Sequence, residues 1–97
     1  MRKMYVIVRK DLSPAVQAVQ GGHALAGLLQ LNTDIEWRNS TLVFLGVRGQ
    51  AQLHNLYHKF GLHNAICFLW DEPDMDDQVT ALAVYVDENI LKSVNCI

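Results

Sequence analysis

The chain has 97 residues, enough for one domain around one hydrophobic core and too few for two. Hydrophobic residues make up 51% and charged residues 19%, which excludes disorder driven by low hydropathy. The net charge of -2 excludes a global attraction to polyanions, so any contact with nucleic acid must rest on a local patch.

The basic residues Arg2, Lys3, Arg9 and Lys10 gather at the start, and the acids Asp71, Glu72, Asp74, Asp76 and Asp77 gather in one loop. Cys67 lies in an apolar run, and with Cys96 it makes neither a disulfide framework nor paired CxxC spacing. The apolar stretch over residues 4–8 is too short for a signal-peptide core or a membrane span. A cytoplasmic protein outside the membrane is expected.

Residues 4–9 (MYVIVR) are β-branched and aromatic, which predicts a strand, and Ser13-Pro14 supplies an N-cap followed by a first helical residue. The run over residues 14–31 predicts a helix with Ala15, Ala18, Val19, Gly22, Leu25, Ala26 and Leu29 on its core face. Gln20, His23 and Gln30 border that face. Gly21, Gly22 and Gly27 are unusual inside a helix, where each glycine costs about 1 kcal/mol relative to alanine, so close packing or room for a ligand is expected.

Residues 41–47 (TLVFLGV) read as a strand buried on both faces. Residues 49–60 predict a second helix, with Ala51, Leu53, Leu56, Tyr57 and Phe60 on one face and Gly61 as the stop. Residues 65–70 (AICFLW) and 79–86 (VTALAVYV) give two further strands, paired either as a hairpin or by a wide return. Residues 87–94 give a short terminal helix capped by Asp87. The expected fold is a single α/β domain over residues 1–97, with a mixed four-stranded sheet, packed helices and the order β-α-β-α-β-β.

His54 and His58 stand four apart on the second helix with His63 nearby, but without the glutamate of HExxH they read as surface histidines. The acidic loop lacks the glycine and spacing of a calcium loop and reads as solvated. No GxxxxGK[ST], GxGxxG or GxSxG occurs, and Ser13, Ser40 and Ser93 have no base nearby in sequence. His23, at the edge of an apolar helix face, reads first as a hydrogen-bonded structural residue.

KMYVIVRKDL followed by AVQGGHA resembles the opening of the type 2 peptidyl-tRNA hydrolases, with Arg9, Asp11, Leu12, Gln20, His23 and Ala24 at the family's motif positions. GLHNAICFLWDEPD and QVTALAV extend the resemblance through Gly61, Leu62, Asp71 and Thr80, so that it covers residues 3–86. It implies hydrolysis of the ester between a peptide and the terminal ribose of tRNA, without metal or cofactor. It further implies that Asp71 orients or deprotonates a water, Thr80 supplies a hydroxyl, and Gln20 and His23 shape the pocket. Arg9, Asp11 and Lys10 join Gln20 as the implied substrate-binding residues, with Lys10 the nearest surviving cation.

Peptidyl-tRNA is the implied partner, and a homodimer the implied assembly. Two departures stand out. Val16 occupies the position of a family lysine in a shortened turn, and Glu72, Asp74, Asp76 and Asp77 replace basic and polar residues. The alternative reading is a catalytically inactive relative serving as a binding or regulatory module.

Overall fold

The structure, a computed structural model, describes residues 1–94. Its strands are β1 (Arg2–Arg9), β2 (Leu42–Val47), β3 (Ile66–Glu72) and β4 (Gln78–Asp87), and its α-helices are α1 (Pro14–Leu31), α2 (Gln50–Leu62) and α3 (Glu88–Val94). A 3-10 turn, Pro73–Met75, lies between β3 and β4. The sheet order is β2-β1-β4-β3, with β1 and β2 parallel and the other two pairings antiparallel. The expected mixed four-stranded sheet and element order are therefore present, and the last two strands form the hairpin.

β1 and β4 are the central strands, which is why nearly every residue from Met4 to Val8 and from Val79 to Val84 is buried. One face packs Met4, Val6, Val8, Ala81 and Ala83 against Ala24 and Leu28 of α1. The other packs Tyr5, Ile7, Leu82 and Val84 against Leu53, Leu56 and Phe60 of α2 and Val94 of α3. Strand alternation thus feeds two cores from the same two strands. Ser13 caps α1 through its hydroxyl to the Val16 N–H, and Asp87 accepts the Asn89 N–H at the start of α3, both as their sequence positions predict.

Three local expectations are corrected. α1 buries Gln20, Gly21, Ala24 and Leu28, leaves Leu25 and Leu29 half-buried, and exposes Ala15, Ala18, Val19, Gly22 and Ala26. Alanine and glycine occur on both sides of this helix, so its apolar pattern defines the buried side poorly, and polar bonds at Gln20 help decide it. β2 is an edge strand and is not buried on both faces: Leu42 is 41% and Phe44 48% exposed. α2 runs past Gly61 to Leu62, and the left-handed residue after it is Asn64, at φ 55°. On α2, Leu53, Leu56 and Phe60 are buried, but Ala51 and Tyr57 are exposed.

Candidate functional site

Val16, Gln20 and His23 recur at i, i+4 and i+7, one above another on α1. Gln20 is the hub. Its Oε1 accepts the Thr80 hydroxyl at 2.6 Å and the Trp70 indole N–H at 3.1 Å, and its Nε2 donates to Glu72 Oε1 at 2.9 Å. Two donors on one side and a carboxylate on the other leave one sensible orientation for the amide. Gln20, Glu72 and Thr80 are all buried, Thr80 completely.

Glu72 is placed here by strand alternation. Ile66, Phe68 and Trp70 of β3 face α1, and Glu72 follows them two residues on, whereas Asp71 falls between and is turned toward the other face. Asp71 is exposed and is not brought to Gln20 or His23. Thr80 reaches α1 because the pairing slips: Trp70 opposes Ala81 and Asp71 opposes Val79, leaving Thr80 the extra residue of a bulge. Without it, alternation from Ala81 would send the Thr80 hydroxyl toward α2. Asp71 and Thr80 therefore share an end of the sheet but face opposite ways.

The Gln20 hydrogen bond, the Asp74 backbone N–H and the neighbouring His23 together hold the Glu72 carboxyl below its ordinary range, against the opposing effect of burial. It is ionised at neutral pH. His23, exposed at the rim, stacks on Trp70 with ring centroids 4.7 Å apart and planes 17° from parallel, and Trp70 in turn lies 6.4 Å from Phe68. Gly27 makes this possible, because a Cβ there would fall 2.3 Å from the Phe68 ring. That close approach accounts for one of the three helix glycines, and Phe44 against Gly21 accounts for another.

Arg9 and Asp11 form a different assembly. The Arg9 guanidinium holds both Asp11 carboxylate oxygens, at 3.0 and 2.7 Å, and donates to Gln78 Oε1 and the Val79 carbonyl at 3.0 Å each. It ties the end of β1 to the start of β4, and four of its five N–H donors are spent on the protein. Asp11 is held below its ordinary range, first by the Arg9 hydrogen bond. Lys10 lies along Gly46 of β2 and lines a groove with Phe44, Pro14 and Gln17, on the side of α1 away from β3. Among the described residues no three histidine, cysteine or acidic side chains come together as a metal site, so His54, His58 and His63 form none.

Of the residues expected from sequence, Gln20, Thr80 and His23 come together, while Asp71, Arg9, Asp11 and Lys10 lie elsewhere. Sequence reasoning misses Glu72 and Trp70. The signal for both is the β3 alternation, once the strand is continued past Trp70.

No family model matches the chain, and no curated protein does. Among solved structures it is similar to a protein of unknown function, Atu0240, from Agrobacterium tumefaciens strain C58. The match has a TM-score of 0.74 and 14% identity over 96% of this chain and 92% of that one. At that identity the likeness establishes a shared fold. No helix among the described residues is long and apolar enough to cross a membrane.

Proposed function

We propose that this chain is a peptidyl-tRNA hydrolase-like esterase in which Glu72, in place of Asp71, positions the attacking water. The observation that carries the reading is the Gln20 amide held between Glu72 and Thr80, which joins two residues of the family resemblance to an ionised acid. In this reading a water donates to the Glu72 carboxylate and attacks the ester carbon. Its proton passes through Glu72 to the departing ribose oxygen, giving a free peptide acid and a free hydroxyl. The second Nε2 hydrogen of Gln20 meets the carbonyl oxygen as it gains charge.

Thr80 and Trp70 are positioning residues, since both act by orienting Gln20. His23 stands at the rim where substrate enters. Val16, one turn before Gln20 on the same line and 36% exposed, is the place from which a lysine would reach this centre. A homodimer belongs to the same reading, and sedimentation of the purified chain at twice its monomer mass is the expected result.

A second reading, a non-catalytic module, draws on a specific feature. The Thr80 hydroxyl is wholly buried and already donated, and the exposed acids Asp71, Asp74, Asp76 and Asp77 repel phosphates near the site. Peptidyl-tRNA cleavage by the native chain and by Val16→Lys separates the two. An active hydrolase should cleave, and the added ammonium should raise its rate by about tenfold or more. No cleavage by either, with both chains folded, favours the module.

A further inference from the structure

In the ester chemistry Trp70 serves only through its indole N–H on Gln20, which leaves the ring faces of Phe68, Trp70 and His23 without a role. We propose that the outer face of the His23 ring, backed by Trp70 and Phe68, is a stacking platform for a nucleobase. The inference deepens the hydrolase reading, because it assigns the base of the nucleoside whose ribose carries the ester. Three observations support it.

The ladder is built rather than incidental. Phe68 lies where the side chain of residue 27 would be, and only glycine there leaves the ring its place under α1. Trp70 is fixed by its N–H on Gln20, and His23 lies nearly parallel to it at 4.7 Å. Second, the ladder ends in the open: His23 is exposed, one face rests on Trp70, and among the described residues no other ring or hydrogen-bond partner holds it. A planar ligand continues such a stack at little ordering cost, and bases stack on aromatic rings with little regard to sequence.

Third, the spacing fits. His23 stands three residues from Gln20 along α1, a rise of about 4.5 Å, which puts a base on His23 and an ester at Gln20 and Glu72 on neighbouring positions of one helix side. The exposed acids Asp74, Asp76 and Asp77, which follow Glu72 in the chain, disfavour phosphate contacts and leave the uncharged base as the group to be held.

The test is a titration of the native chain with adenosine, cytidine and ribose 5-phosphate, following the ring proton signals of His23 and Trp70 by NMR. Both nucleosides should shift both rings saturably, and ribose 5-phosphate should not. His23→Phe, which keeps a stacking face, should bind nearly as the native chain does, whereas His23→Leu should bind on the order of tenfold more weakly. Absence of nucleoside shifts, equal binding by His23→Leu and the native chain, or shifts reproduced by ribose 5-phosphate would each overturn the platform. Stacking in a chain that cleaves no peptidyl-tRNA overturns the hydrolase reading and leaves the platform standing. Cleavage without stacking does the reverse.

Discussion

A buried glutamine amide must satisfy both its oxygen and its nitrogen, and Gln20 does so with three side chains from two strands. Replacing it with leucine removes the acceptor for Thr80 and Trp70 and the donor to Glu72 together. The expected loss is about 2–3 kcal/mol in urea unfolding, because a completely buried hydroxyl is left without its partner. Acid should act through the same hub. Glu72 titrates below its ordinary value of 4.5 in the folded chain, so its contribution is complete above that pH and is lost as pH falls through the folded value. Melting temperature followed from pH 6 downward should drop below about 4.5, with a shallower decline in Glu72→Gln; identical slopes would remove Glu72 from the account.

The elements show where sequence patterns are sufficient and where they fail. Strand and helix periods suffice for the order of elements, because Val, Ile and Phe at spacing two and leucines at helical spacing have few alternatives. They fail for α1, whose exposed Ala18, Gly22 and Ala26 resemble a core stripe in composition and whose buried side contains a glutamine. They fail again at the end of the β3–β4 hairpin, where a one-residue slip decides which face Thr80 takes and one strand position separates Asp71 from Glu72. A short motif registers residue type at a position, not the face that position presents.

Two pairs of variants test the element-level account. Gly22→Ala meets nothing within 4 Å and should stabilise the chain by about 0.5–1 kcal/mol. Gly27→Ala must displace the Phe68 ring, so it should end about 2 kcal/mol less stable than Gly22→Ala by urea unfolding. Arg9→Met should cost about 2–3 kcal/mol, since Asp11, Gln78 and the Val79 carbonyl lose a shared donor, whereas Lys10→Met should cost less than about 0.5. Equal effects of Arg9→Met and Lys10→Met would contradict the clamp.

In the whole molecule, the two faces of the sheet differ in what they carry. The α2 and α3 side is an apolar core, while the α1 side carries both a smaller core and, at the C-terminal end of β1, the polar centre around Gln20. The central proposal is that this centre cleaves peptidyl-tRNA with Glu72 as its working carboxylate. The most direct measurement is the rate of peptidyl-tRNA cleavage by the native chain, Glu72→Gln and Asp71→Asn, at matched fold stability. Native cleavage should survive Asp71→Asn nearly unchanged and fall about a hundredfold in Glu72→Gln, as removal of a general base predicts. Cleavage abolished by Asp71→Asn and retained by Glu72→Gln would contradict the claim.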